Sequence, residues 1–176
     1  MNKEYYHVVT EKPMNLGQHI KFDNHNHSGV FKRVMSKQNI VNDIYMHPSK
    51  YNEEKLDHHT KVALRELALE KIRQEKYPNY PSRLKCLYVS TSLNDALMWA
   101  DSFIKNGRKV YQIVKVRTNG NIFTGNAYNC FEGTINEEKN LEYANNYWNN
   151  SSNKKTILET IIDGDIEVIK IIKTYK

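Results

Sequence analysis

The chain has 176 residues, with 26 Lys and Arg against 20 Asp and Glu and a formal net charge of +6. At that length one domain spanning residues 1–176 is expected, able to bury about 70% of its unfolded surface without disulfides or metal staples. Two cysteines, Cys86 and Cys130, exclude a disulfide framework, the scatter of Lys and Arg excludes a polybasic tail, and the shortness of every apolar run excludes a membrane-spanning helix.

In chain order, residues 4–10 are rich in Tyr and Val and read as a strand. Residues 13–17 are a turn and 18–22 a short strand. Residues 23–29, Asp-Asn-His-Asn-His-Ser-Gly, are turn residues and read as a loop. Residues 52–76 form the clearest helix. Val62, Leu64, Leu67, Ala68, Leu69 and Ile72 give an apolar stripe near helical spacing, and Pro78 and Pro81 stop it. Residues 84–91 read as a buried strand. Ser92 then caps a helix, with Asp95 in nearly a capping-box position. That helix packs Leu93, Ala96, Leu97 and Ala100 and ends at Gly107.

Residues 110–116 are a strand, 118–125 a turn with a short extended piece, and 137–147 a second helix candidate. Residues 149–155 are a polar loop. Residues 157–162, a turn at Asp163-Gly164, and residues 166–172 are expected to form a hairpin. Strands in the first and last thirds with helices between them give an α+β class, as a mixed or antiparallel double sheet flanked by helices.

Three of these strands carry a polar or aromatic residue in an apolar setting: His7 in Tyr-Tyr-His-Val-Val-Thr, Tyr88 in Leu-Tyr-Val-Ser-Thr-Ser, and Glu159 in Leu-Glu-Thr-Ile-Ile-Asp-Gly-Asp. In that order they resemble the His-Tyr-Glu signature of the ADP-ribosyltransferase-like superfamily, which includes poly-ADP-ribose polymerases, diphtheria-type toxins and rifampin-modifying transferases. The resemblance implies an α+β split double β-sheet with flanking helices, NAD as substrate, and cleavage of its nicotinamide–ribose bond. It gives each residue a role. His7 bonds a ribose and seats NAD, and the backbone of Val8, where many members carry Gly, meets the nicotinamide amide. Tyr88 and Trp99, eleven positions on, frame the nicotinamide ring, and Glu159 stabilises the cation.

The chemistry fits those residue types. Departure of nicotinamide leaves an oxocarbenium-like centre, so the needs are those of glycoside hydrolysis: a carboxylate beside the developing charge and aromatic faces for a cationic ring. Arg83, just before the Tyr88 strand, has a donor fork suited to an NAD phosphate.

Each residue also has a plain structural reading. His7 alone is more often a satisfied sheet histidine, Tyr88 and Trp99 are often core aromatics, Glu159 is often a surface residue of an edge strand, and Arg83 more often pins a loop or pairs with an acid. Ile157 stands two positions before Glu159, so the Glu-x-Glu and Gln-x-Glu patterns of arginine- and asparagine-directed toxins are absent. The stretch Asn-Ile-Phe-Thr-Gly-Asn-Ala lacks the Asp that rifampin-modifying members place after the preceding strand.

His25 and His27 invite a nuclease reading, but a metal site needs more ligands than this loop offers, and no metal is expected. Neither a P-loop nor a Gly-x-Gly-x-x-Gly run is present. The N-terminal segment lacks the apolar stretch of a signal peptide, so a cytoplasmic setting with reduced thiols is expected.

The acceptor of ADP-ribose, whether protein, nucleic acid or small molecule, is left open by the sequence. Two alternatives stay open beside the transferase: a non-catalytic nucleotide- or protein-binding module of the same fold, and an RNA-directed enzyme such as a 2′-phosphotransferase. The latter needs an acceptor-side basic cluster that the scattered Arg33, Arg73 and Arg83 do not show in sequence, and salt-dependent RNA binding would favour it.

Overall fold

Strand β1 (Lys3–Val9) buries Tyr5, Val8 and Val9 and leaves Lys3 and Glu4 in solvent, as expected for aromatic and β-branched side chains on a half-buried strand. It is the edge of a four-stranded sheet with β4 (Gln112–Thr118), β7 (Asp165–Thr174) and β2 (His19–Lys21), in the order β1-β4-β7-β2, with antiparallel pairs throughout. A second sheet holds β3 (Leu87–Val89), β6 (Leu158–Ile162) and β5 (Ile122–Asn126) in the order β3-β6-β5, with β3 and β6 antiparallel. This computed structural model describes residues 3–23, 25–151 and 156–176. Residues 152–155 of the expected polar loop, and Asn24 of the expected turn-rich loop, lie outside the described residues.

The chain divides into two compact units. The first comprises Met1–Asn26, Cys86–Thr124 and Glu159–Lys176, and the second His27–Lys85 and Gly125–Leu158. The class is α+β. The first unit holds both sheets almost entirely, together with helix α4 (Leu93–Lys105). Two apolar clusters sustain it. One joins Tyr5, Val9, Leu87, Val89, Val114, Val116, Ile162, Ile166 and Val168. The other packs α4 through Ala96 and Ala100 against Val8, Val110 and Ile113.

The second unit is built from helices α1 (Phe31–Ser36), α2 (Gln38–Met46), α3 (His58–Lys76) and α5 (Glu137–Trp148). Its core includes Val34, Val41, Ile44, Ala63, Leu64 and Leu84. Trp148 Nε1 donates to the Leu69 carbonyl at 2.8 Å and locks α5 to α3. Gly133 allows a close approach to α3: a Cβ there would lie 2.3 Å from the Lys61 carbonyl oxygen.

Several elements differ from the sequence reading. The helix expected from residue 52 begins at His58. Asn52 caps only a short 3-10 turn, and Asp57 is the true cap, accepting from the Thr60 N–H at 2.9 Å. Helices α1 and α2 were not expected: neither has a side-chain cap, although α2 spaces Ile40, Val41, Ile44 and Tyr45 on one helical face. The expected strands 18–22 and 84–91 shorten to His19–Lys21 and Leu87–Val89.

The hairpin expected over residues 157–172 does not form. Its two strands, β6 and β7, leave the Asp163-Gly164 turn into different sheets. The turn itself is present, with Gly164 at φ 81°. It is held from outside the hairpin: Thr118 Oγ1 donates to the Asp163 carbonyl at 2.6 Å, and the Asn121 N–H to Asp163 Oδ1 at 2.6 Å. These bonds tie the turn to the β4–β5 connection, and each strand then finds its own sheet.

Among the described residues no helix is long and apolar enough to cross a membrane.

Candidate active site

The strands that carry His7, Tyr88 and Glu159 lie next to one another in the first unit. Between β1 and β3 there is one antiparallel bridge, with Tyr6 N–H donating to Ser90 O at 2.9 Å and Ser90 N–H to Tyr6 O at 2.7 Å. Strand β3 then pairs with β6, with Tyr88 opposite Ile161 and Val89 opposite Thr160. Residues directly opposite in a ladder share a face, and alternate residues along a strand return to it. Glu159, two residues before Ile161, therefore shares the Tyr88 face. Thr160 points to the other face, where its hydroxyl lies 2.9 Å from that of Thr124.

The Tyr88 ring is placed outward by this alternation. It is 39% exposed between Leu87 and Val89, which are 9% and 7% exposed. A tyrosine on a short strand whose two neighbours supply the core is available to a ligand without loss of packing. Glu159 is half-buried on the same face, and β6 is the central strand of its sheet, so Glu159 is not an edge-strand residue.

His7 is joined to Tyr88 directly: its Nδ1 lies 2.7 Å from the Tyr88 carbonyl oxygen. A carbonyl only accepts, so Nδ1 carries the proton and Nε2 presents a lone pair. Loss of solvent around the ring pulls its pKa down from 6.5 to about 4. The Tyr88 carbonyl bond opposes the shift, and the positive charge of Arg108 adds to it. At neutral pH His7 is thus an uncharged imidazole, a hydrogen-bond acceptor at Nε2.

Val8 alternates to the opposite side of β1, where its side chain packs with Ala96, Ala100 and Ile113 at 8% exposure. Trp99 is part of that cluster. Its ring neighbour is Phe103, tilted at 5.9 Å between centroids on the same helix α4.

Arg83 belongs to the second unit. It is 6% exposed. Its Nε donates to Glu66 Oε2 at 3.0 Å, Nη2 to Glu66 Oε1 at 3.2 Å and Nη1 to the Tyr147 hydroxyl at 2.7 Å. Burial acts to raise the pKa of Glu66, but the Arg83 and Arg65 guanidiniums outweigh it and hold the carboxyl below its ordinary value. The pair is a charged pin inside the helical unit.

The sequence reading passed over Glu66 and Arg108. Glu66 lies three residues from both Ala63 and Leu69, on the apolar side of α3, and that position was its signal. Arg108 directly follows the helix-ending Gly107, and its cue was a cation at a helix C-terminus.

Among the described residues no group of three or more His, Cys, Asp or Glu is placed to hold a metal ion. Neither Cys86 nor Cys130 forms a disulfide. The arrangement puts an exposed phenol ring and a carboxylate on one face of two adjacent strands. The Tyr6–Ser90 bridge assigns His7 to the alternate face, with Tyr5 and Val9, and its neutral imidazole meets the pair through the Tyr88 backbone carbonyl. These can accept hydroxyl bonds from a sugar and stabilise a cation.

The family described as a protein of unknown function, DUF2441, matches residues 5–174, and the chain belongs to that family. No match to a curated protein is found.

Proposed function

We propose that this member of the family is an NAD-dependent ADP-ribosyltransferase of the His-Tyr-Glu type, with the split double sheet of that superfamily. The observation that carries the reading is the succession of strands. From β5 through β6 and β3 the three-stranded sheet leads, by way of the Tyr6–Ser90 bridge, into β1, β4 and β7. The strands bearing Glu159, Tyr88 and His7 are thereby consecutive neighbours, although the residues are far apart in sequence.

His7 Nε2 accepts a hydrogen bond from a ribose hydroxyl of NAD. Its fixed tautomer makes it an acceptor there without adding a positive charge beside a cationic substrate. Tyr88 lays its ring against the nicotinamide, where an aromatic face attracts the pyridinium charge by roughly 0.5–2 kcal/mol. The bond between the ribose carbon and the nicotinamide nitrogen breaks, its electron pair passes to the ring, and neutral nicotinamide leaves. Glu159 accepts from a ribose hydroxyl and places negative charge beside the oxocarbenium-like carbon as it forms. An acceptor nucleophile then bonds to that carbon and loses its proton to solvent or a base. Trp99 supports this region from α4 through the packing beneath Val8. Two cysteines outside any disulfide suit a reducing cytosolic setting.

Incubation of the protein with NAD labelled in its adenylate half, alone and with cell lysate, tests the reading. Release of nicotinamide with label moving to water or to a macromolecule is the expected result. Full recovery of intact NAD at millimolar substrate, with and without lysate, would refute it.

A further inference from the structure

Helix α4 ends in a way that fixes one cation. Gly107, at φ 76°, reverses the chain. Its N–H bonds the Ile104 carbonyl at 3.0 Å, and the Arg108 N–H bonds the Phe103 carbonyl at 2.9 Å. Only glycine adopts this left-handed conformation without strain, and the result is a closed C-terminal cap. The Arg108 side chain is carried back over the Phe103 ring, with its guanidinium carbon 4.9 Å from the centroid. Nη2 donates to Thr10 Oγ1 at 2.7 Å, and Thr10 stands three residues beyond His7 at the end of β1.

Among the described residues Arg108 has no carboxylate partner, and Thr10 is its one hydrogen-bond acceptor. Its neighbour Lys109 is likewise directed at an aromatic face, 4.7 Å from the Tyr111 centroid. An exposed arginine is ordinarily a mobile, solvated charge. This one is oriented by a ring and a hydroxyl, and most of its planar set of donors is left unused. Its bond to Thr10 sets it beside the C-terminal end of β1, three residues past His7. An oriented, acid-free guanidinium fork is suited to phosphate oxygens, which it engages in a bidentate manner.

We propose that Arg108 holds the pyrophosphate of the dinucleotide whose ribose His7 receives, with Thr10 and Phe103 as its positioning residues. The proposal rests on the NAD reading above. The two phosphates lie between the two riboses of a dinucleotide, so a cation stationed just past the ribose-binding histidine meets them next. Loss of a charge-assisted bidentate contact of this kind lowers affinity tenfold or more.

The test is calorimetric binding of ADP, ADP-ribose and nicotinamide to the full chain as wild type, Arg108→Gln and Arg108→Lys. Steady-state nicotinamide release is measured in parallel. Arg108→Gln is expected to weaken ADP and ADP-ribose at least tenfold and leave nicotinamide affinity unchanged. It should raise KM for NAD with little change in kcat, as for a contact made equally in ground and transition states. Arg108→Lys, which keeps the charge and loses the fork, should fall between. Equal ADP affinity in wild type and Arg108→Gln, or a loss confined to kcat, would overturn the proposal. So would an absence of ADP and ADP-ribose binding to the folded wild type. The ADP readout does not require turnover: tight Arg108-dependent ADP binding without nicotinamide release would overturn the transferase reading and leave this phosphate site standing.

Discussion

His7 gives the structure a pH signature that can be isolated. In the folded chain its pKa is pushed down to about 4 by burial, whereas the unfolded chain titrates near the ordinary 6.5. Between those values the unfolded state takes up a proton that the folded state refuses, so stability falls as pH falls. The His7 contribution is complete above about pH 6.5, is lost on acidification, and changes no further below about pH 4. The interval corresponds to a ceiling of about 3 kcal/mol at ~1.4 kcal/mol per pH unit, and residual solvent around a half-buried ring reduces the expected effect to about 1–2 kcal/mol.

Urea unfolding at pH 7.5 and 4.5 of wild type and His7→Gln isolates it, because acidification of the carboxylates is common to both and cancels. Wild type should lose about 1–2 kcal/mol more than the variant over this range. His19 is an internal control of opposite sign. Its Nδ1 lies 2.9 Å from Asp165 Oδ1, and the hydrogen bond and charge of Asp165 raise its pKa. Its contribution is present below the ordinary histidine value and lost as pH rises through the raised one, so His19→Gln should lose less at alkaline pH than at acid. An NMR titration placing His7 at 6.5 or above would refute the reasoning, and with it the neutral Nε2 acceptor.

In the second unit, Glu66→Leu alone should destabilise by about 3–5 kcal/mol, because it leaves the Arg83 guanidinium buried without its carboxylate. Arg83→Met should cost less, because Arg65 Nη2 still meets Glu66 Oε1 at 3.1 Å, and the double replacement Glu66→Leu with Arg83→Met should recover part of the Glu66→Leu penalty; denaturant unfolding of the three variants shows whether the penalty is relieved by removing both charges. Gly133→Ala should cost about 1–3 kcal/mol, since its Cβ would meet the Lys61 carbonyl oxygen at 2.3 Å; a melting temperature equal to wild type would contradict that packing. Trp99→Ala should lower stability by about 3 kcal/mol through loss of the packing around Val8 and Phe103, and Trp99→Phe by much less; thermal unfolding of both variants checks this.

The strands and the long helices were legible because their signals are local. Tyr and Val richness marks residues 4–10, partial alternation marks 110–116, a single Ser92 cap marks α4, and an apolar stripe marks α3. The adjacency of the strands that carry His7, Tyr88 and Glu159 is not local, and only the family resemblance placed those strands together. Helices α1 and α2 have no side-chain cap, and the one cue for α2, the helical spacing of Ile40, Val41, Ile44 and Tyr45, was missed. The β6–β7 hairpin failed for a related reason. The Asp163-Gly164 turn looks like a hairpin turn from its own residues, and the bonds that send its strands apart come from Thr118 and Asn121. Arg83 and Glu66 illustrate pairing at a distance: the arginine stood out in the sequence, but its carboxylate lies 17 residues earlier on a helix face that otherwise read as apolar or solvated.

The central claim is that Glu159 supplies the charge for cleavage of NAD, and one comparison tests it most directly: nicotinamide release by wild type and Glu159→Gln at saturating NAD, with Glu167→Gln as control. Glu167 lies on β7 in the other sheet, where it accepts from Arg117 Nη2 at 2.6 Å. The carboxylate acts mainly in the transition state, so its amide should retain NAD affinity and folding and lose about 100- to 1000-fold in rate, while the control stays near wild type. Wild-type turnover by Glu159→Gln, or an equal loss in Glu167→Gln, would contradict the account.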